Sequence, residues 1–115
     1  MRDNIKGGAL TETTFFILIS LFQPSHGYKI MQFIKEETNG RLNLGAGTLY
    51  GALNTMLKKG WIKSYDGMEE KEDNSRTKEY IITEEGKSIA RTELKRLRQV
   101  YQTGIKILEE VKDNE

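Results

Sequence analysis

Residues 43–60 are the most informative segment of this chain, and they read Asn43-Leu44-Gly45-Ala46-Gly47-Thr48-Leu49-Tyr50-Gly51-Ala52-Leu53-Asn54-Thr55-Met56-Leu57-Lys58-Lys59-Gly60. The apolar side chains recur at intervals of three and four residues, at Ala46, Leu49, Tyr50, Leu53, Met56 and Leu57. This spacing predicts an amphipathic helix with one apolar stripe. Gly60 occupies the place of a C-terminal capping glycine, and Lys58 and Lys59 lie in the last turn, where positive charge suits the helix dipole.

The opposite face of this predicted helix carries only small, polar or basic side chains, namely Gly47, Thr48, Gly51, Asn54, Thr55 and Lys58. A helix of this kind can pack one side on a core and place the other side in a nucleic-acid groove. The same pattern also fits an ordinary surface helix, so the flanking segments have to distinguish the two interpretations.

The composition excludes several classes of function. The length of 115 residues suits one domain, and 37% hydrophobic with 30% charged residues indicates a soluble globular protein. Cysteine is absent and His26 is the one histidine, which excludes disulfides, thiol catalysis and the usual zinc sites. The chain also lacks a phosphate-cradling glycine motif. We therefore expect no metal, no cofactor and no enzymatic activity.

Charge is distributed unevenly although the net charge is only +1. Residues 38–65 contain no Asp or Glu, whereas Arg41, Lys58, Lys59 and Lys63 lie within them. Such a block is typical of phosphate-binding surfaces, and also of many solvated faces. The longest apolar run, residues 15–22, is too short to span a bilayer and precedes no cleavage site, so we expect a cytoplasmic protein.

Two helices are predicted before the central one. Residues 10–23 read as a first helix capped by Thr11, although periodicity alone also permits a buried strand over the apolar run. Pro24 ends this segment. Ser25 is the expected N-cap of a second helix over residues 26–38, and this helix and the central one form a helix-turn-helix.

Two strands are predicted after the central helix. Residues 61–65 are rich in aromatic and β-branched side chains, residues 66–75 form a polar, acidic loop, and residues 77–83 form the second strand. The whole is a winged helix-turn-helix, mainly α with a small β wing, which we place in residues 8–83.

A long final helix is predicted over residues 84–113, capped by Thr83, with Gly86 expected to weaken its start. Its apolar residues repeat in alternating steps of four and three, at Ala90, Leu94, Leu97, Tyr101, Gly104, Leu108 and Val111. This heptad pattern predicts pairing with a second copy of the chain, although intramolecular packing is the alternative. We take the positions from Leu94 to Val111 as a dimerisation surface.

The chain resembles the PadR family of bacterial winged-helix transcriptional regulators over about residues 10–87. The motifs that carry the resemblance are His26-Gly27-Tyr28, Gly47-Thr48-Leu49-Tyr50-x-Ala52-Leu53, Lys59-Gly60-Trp61-Ile62, Arg76-x-Lys78-x-Tyr80 and Ile82-Thr83-x-x-Gly86. The resemblance implies a homodimer that binds a roughly palindromic DNA operator, usually as a repressor. It also implies that the third helix enters the major groove and that the wings contact flanking DNA.

The single C-terminal helix is similar to that of the small PadR subgroup, some of whose members bind flat aromatic compounds between tryptophans at the dimer interface. The resemblance thus implies a small aromatic effector. The chain departs from the family pattern at Gly45, where the family has a serine, and at Gly51, where it has a proline. Leu97 stands at the expected tryptophan position, and Tyr101 is the aromatic residue nearest to replacing it.

DNA-contact roles follow from the predicted fold and the resemblance. We expect Thr48, Gly51 and Asn54 to reach base edges, with Asn54 suited to adenine. Tyr50 and Lys58 are expected near phosphates, as are Tyr28 and Lys29 at the start of the second helix. Arg76 and Lys78 are expected to contact the backbone beside the wing.

The segment 68–73 counts against a close approach of the wing tip to DNA, because it holds four carboxylates and one lysine. It favours a second interpretation, in which a winged-helix dimer serves as a protein-interaction or assembly module. The carboxylate-free block of residues 38–65 favours DNA binding.

Overall fold

A computed structural model describes residues 8–65 and 78–113 of the chain, with side chains as far as residue 110. The elements in chain order are α1 (Glu12–Ser20), β1 (Ser25–His26), α2 (Gly27–Glu37), α3 (Ala46–Lys59), β2 (Ile62–Tyr65), β3 (Glu79–Ile82) and α4 (Glu84–Asp113). The predicted class, mainly helical with a small β wing, is confirmed. Within the described ranges, no helix combines the length and apolarity needed to cross a membrane.

The first helix forms as predicted but ends earlier. The Thr11 side-chain oxygen accepts a hydrogen bond from the Thr14 N–H at 3.1 Å, which is an ordinary N-cap. At the other end, the Ser20 hydroxyl donates to the Ile17 carbonyl at 2.6 Å, and the chain tightens into a turn. The α-helix therefore ends at Ser20 rather than at residue 23, and the alternative of a buried strand is wrong.

The start of the second helix differs from the prediction by one residue. Ser25 is not the N-cap, because Ser25 and His26 form β1 and pair with Tyr80 and Glu79 of β3. His26 caps α2 instead, since its Nδ1 accepts a hydrogen bond from the Lys29 N–H at 3.4 Å. The residues after Pro24 are extended enough to fill an unpaired edge of β3, and this tertiary pairing moves the helix start.

The central helix α3 forms within residues 43–60, begins at Ala46 and ends at the predicted C-cap, Gly60. Gly60 adopts the left-handed conformation with φ of 78°, and its N–H donates to the Leu57 carbonyl at 3.1 Å. The buried residues are Leu49, Ala52, Leu53 and Met56. Ala46, although counted in the predicted apolar stripe, is exposed at the first residue of the helix.

A three-stranded antiparallel sheet in the order β1-β3-β2 closes the domain. Ile62 pairs with Ile82, and Tyr65 pairs with Glu79. Both predicted wing strands are present in shorter form, whereas the predicted loop of residues 66–75 lies outside the described residues.

Thr83 connects the sheet to the last helix. Its hydroxyl donates to the Gly60 carbonyl at 2.6 Å and accepts from the Gly86 N–H at 3.1 Å, so the predicted cap of α4 is confirmed.

Gly86 is a close-packing position rather than a simple weak point. An ideal Cβ on Gly86 would lie 2.1 Å from the Trp61 carbonyl oxygen, so only glycine lets α4 approach the end of α3 this closely.

The first turns of α4 belong to the core, where Ala90 and Glu93 are buried. Glu93 accepts hydrogen bonds from the Arg96 guanidinium at 2.6 and 2.9 Å, and from the Leu10 N–H at 3.3 Å. The Arg96 hydrogen bonds hold the pKa of the Glu93 carboxyl below its usual value despite burial. This carboxylate ties the segment before α1 to α4.

The division into residues 8–83 and 84–113 stays a prediction.

Candidate nucleic-acid interface

The outer face of α3 carries the small, polar and basic side chains that the sequence predicted. Gly47, Thr48, Gly51, Asn54 and Lys58 are all exposed. No heavy atom outside the local backbone lies within 4 Å of where a Cβ on Gly47 or Gly51 would stand. A partner surface can therefore approach the backbone of this helix closely, with Asn54 and Lys58 as its two long polar side chains.

Tyr50 joins the two helices of the helix-turn-helix. Its hydroxyl would lie 2.2 Å from an ideal Cβ on Gly27, so the tyrosine ring fills the space that the glycine leaves at the start of α2. Burial raises the pKa of Tyr80, and the nearby Tyr50 adds to this effect. With 44% of its surface exposed, Tyr50 packs against α2 and still presents one edge to solvent.

The amino end of α2 presents two of the predicted contact residues. Tyr28 is 62% exposed, and its hydroxyl accepts a hydrogen bond from Gln32 Nε2 at 3.2 Å. Lys29 is exposed as well. Because Gly27 touches Tyr50, the amino end of α2 stands directly beside α3, and its partial positive charge suits an anion.

The two lysines in the last turn of α3 have different surroundings. Lys58 is exposed on the outer face, whereas Lys59 Nζ lies 4.7 Å from the centroid of the Trp61 ring, as in a cation–π contact. Lys78 is exposed immediately before β3. Arg76, the other predicted wing contact, lies outside the described residues.

An ion pair that sequence reasoning missed joins the start of α1 to the link between α2 and α3. The Arg41 guanidinium donates to Glu12 through both terminal nitrogens, with Nη1 at 3.0 Å from Oε1 and Nη2 closer still to Oε2. This hydrogen bonding holds the pKa of Glu12 below its usual value. The partners are 29 positions apart, so no local pattern could have indicated the pair.

The predicted dimerisation surface is largely exposed in the single chain. The exposed large apolar residues of α4 are Leu94, Leu97, Val100, Tyr101, Ile105, Ile107 and Leu108. Gly104 is half-buried, and Val111 lies in the last turns of α4, where the described residues no longer include side chains. Tyr101 is 67% exposed and Leu108 is 70% exposed, so the described part of the chain does not bury them. Pairing with a second copy stays a prediction.

A helix-turn-helix followed by an antiparallel β-hairpin that packs back on it defines the winged-helix class of DNA-binding folds. The PadR-like family of transcriptional regulators matches residues 17–92, and the chain belongs to this family. No curated protein sequence matches the chain.

Solved structures of similar fold agree with the family assignment. A transcriptional regulator from Clostridium thermocellum is 28% identical, with a TM-score of 0.70 over 82% of this chain and 87% of that one. A PadR-family transcription regulator from Clostridium difficile is 27% identical, with a TM-score of 0.67 over 83% and 97%. PadR from Bacillus subtilis, solved with operator DNA, is 22% identical, with a TM-score of 0.62 over 73% and 47%, and shares the fold.

Proposed function

We propose that this PadR-family regulator binds a specific operator as a homodimer, as a repressor, with α3 in the major groove. The observation that carries the proposal is the exposed, carboxylate-free face of α3 beside the amino end of α2. The Bacillus subtilis PadR, which shares the fold, was solved with operator DNA, and this supports the same use of the fold here. DNA binding also makes the cytoplasm the proposed site of action.

The roles of individual residues form part of the proposal. Thr48, Gly51 and Asn54 face the base edges, and Asn54 offers both an amide donor and an acceptor to adenine. The residues that lie toward the phosphates are Tyr28, Lys29, Tyr50 and Lys58. Arg76 and Lys78 contact the DNA beside the wing. These assignments combine one set of base contacts with phosphate contacts that fix the register.

Dimerisation is proposed through the exposed apolar face of α4. Leu94, Leu97, Tyr101, Gly104 and Leu108 lie on one side of this helix, and Val111 continues their spacing. Val100, Ile105 and Ile107 make the apolar face broader than a strict two-position seam. A face of this breadth, exposed in a monomer, is stabilised by burial against a second copy.

A flat aromatic effector is the proposed ligand of the dimer. Tyr101 is exposed on the apolar face of α4 and could stack on such a compound. Because Leu97 stands at the position expected for tryptophan, stacking in this protein would depend on tyrosine rings.

A protein-interaction or assembly role is the second candidate function. The sequence feature that favours it is the acidic segment of residues 68–73, which would be repelled by phosphates. This segment lies outside the described residues, so the contrast between the two functions has to be drawn by experiment.

The test is selection of bound duplexes from a random DNA library, followed by footprinting and binding titrations at several salt concentrations. We expect one palindromic consensus and an affinity that falls steeply with salt, because released counterions accompany each phosphate contact. Recovery of no consensus, together with salt-independent retention of DNA, would favour the assembly role.

A further inference from the structure

The two flanks of α3 are built differently. Two positions apart along a helix, the side chains of Thr48 and Tyr50 point in nearly opposite directions. Tyr50 meets the amino end of α2, as described above. Thr48 and Thr55 instead face the start of α1 across a recess of about 590 Å³, whose other wall includes Thr11 and Thr13.

The Arg41–Glu12 ion pair lies at the start of α1, next to this recess, although neither side chain lines it. Glu12 lies between Thr11 and Thr13, which line the recess, and it holds the Arg41 guanidinium in a two-point pairing. Both side chains remain accessible, with 59% of Arg41 and 47% of Glu12 exposed. An exposed pair of this kind contributes little to stability, because water and salt screen it.

The Arg41 side chain can bind a phosphate group as well as a carboxylate. Its planar guanidinium matches a phosphate group through two parallel hydrogen bonds, as it now matches the carboxylate of Glu12. Arg41 is also the one basic residue in the link between α2 and α3, within the carboxylate-free residues 38–65.

In a DNA duplex, the phosphate that Arg41 could bind belongs to one of the two backbones beside the major groove. A helix in the major groove lies between two phosphate backbones, one on each side. If α3 binds as proposed above, the amino end of α2 serves the backbone on the Tyr50 flank. The backbone on the Thr48 flank then passes along the start of α1, where Arg41 is the cation that the described residues place in contact with that helix.

We propose that Arg41 binds a phosphodiester of the strand on the Thr48 flank, and that Glu12 occupies this arginine in the free protein. Binding of DNA exchanges the carboxylate for a phosphate oxygen and leaves Glu12 close to a negative backbone. Arg41 is thus a positioning contact, and Glu12 lowers affinity for every sequence. This inference rests on the proposed operator binding.

The experiment compares wild type with Arg41→Gln, Arg41→Lys, Glu12→Gln and the double variant in salt-titrated binding to the selected operator and to an unrelated duplex. Arg41→Gln should weaken binding to both duplexes by about tenfold and reduce the slope of log K against log salt by about one. Arg41→Lys should keep the slope and lose part of the affinity. Lys106→Gln, which removes an equal charge on the far part of α4, should change neither quantity.

Glu12→Gln carries the second half of the proposal. It should raise affinity several-fold at low salt, because it frees Arg41 and removes a repelled charge, and this gain should shrink in the Arg41→Gln background. An unchanged slope for Arg41→Gln, or weaker binding for Glu12→Gln, would overturn the inference while wild type still binds its operator. Failure of wild type to bind any duplex would instead overturn the proposed function. Unchanged circular dichroism spectra verify that each variant is folded.

Discussion

Gly27 and Tyr50 share one volume at the junction of α2 and α3, since an ideal Cβ on Gly27 would lie 2.2 Å from the tyrosine hydroxyl oxygen and 2.7 Å from Cζ. The packing of the two helices therefore depends on a glycine at position 27, because any larger residue would collide with the Tyr50 ring. This contact sets the relative position of α2 and α3. Both helices belong to the proposed DNA-binding surface, so the contact also shapes that surface.

Gly27→Ala should displace the Tyr50 ring and lower the free energy of unfolding by about 1–3 kcal/mol, the usual cost of overpacking. The measurement is urea unfolding followed by circular dichroism. Gly47→Ala is the matched control, because its Cβ would meet no neighbour, and it should raise stability by about 0.5–1 kcal/mol. Tyr50→Leu should restore much of the loss in the double variant. A neutral Gly27→Ala would show that the ring moves without cost.

Gly86→Ala should be more damaging, with a loss of at least about 2 kcal/mol. Its Cβ would lie 2.1 Å from the Trp61 carbonyl oxygen and 2.7 Å from Ile82 Cγ1, and the carbonyl is backbone that cannot rotate away. Thermal unfolding can measure the effect, with Gly51→Ala as the control at an open helical site. Equal melting temperatures for the two variants would contradict the close approach of α4 to Trp61.

Glu93 should make stability depend on pH in the acid range. Its pKa in the folded chain is lowered, first by the Arg96 hydrogen bonds, so its contribution is complete above the unfolded pKa and is lost as pH falls through the folded pKa. Glu93→Gln should cost about 2 kcal/mol at pH 7, and its deficit should shrink below about pH 4.5. Urea unfolding at pH 7 and pH 3.5 tests this. Glu12→Gln, at an exposed pair, should change stability little, and a constant Glu93→Gln deficit would reject the account.

Leu108→Lys should dissociate the proposed dimer, because it places a charge in the apolar face of α4 at a residue that is 70% exposed in the single chain. Sedimentation velocity at micromolar concentration should show a dimer for wild type and a monomer for the variant. Thr103→Lys adds the same charge on the polar side of α4 and should remain dimeric. A monomeric wild type would reject dimerisation through this helix.

Asn54 and Lys58 should affect DNA binding in different ways. Asn54→Ala should change the base preferred at one position of each half-site, since a bidentate amide contact supplies about 1–3 kcal/mol of discrimination. Lys58→Gln should weaken binding to all sequences and lower the salt slope by about one. Repeating the library selection with both variants separates the two effects. An unchanged consensus for Asn54→Ala would remove Asn54 from the base contacts.

Features determined by local sequence could be predicted, whereas those formed by distant residues could not. The helical character of α3 follows from its periodicity and its end follows from Gly60, and both features lie within one segment. The two-residue strand β1 depends on the edge of β3, more than fifty positions away, and it shifted the cap from Ser25 to His26. The sequence around Gly86 indicates only a weak helix residue, because the Trp61 carbonyl that requires a glycine there is 25 positions away.

The candidate site follows the same division. The exposed face of α3 was predictable because it is the complement of the buried stripe on one helix. The pairing of Arg41 with Glu12 was not, since it requires the packing of α1 beside the link that precedes α3. The contact partners on DNA stay predictions for every one of the proposed residues.

Strand β1 has a mechanical consequence for a dimer on DNA. Ser25 and His26 pair with β3 of the wing directly before the first residue of α2, so we expect the wing strands and the helix pair to move together when a proposed dimer binds DNA. In the proposed dimer, the separation between the two domains would be set by α4, from Glu93 to the point where two copies meet. Operators with a longer or shorter spacer would have to be accommodated by twisting or curving the duplex rather than by rearranging either domain.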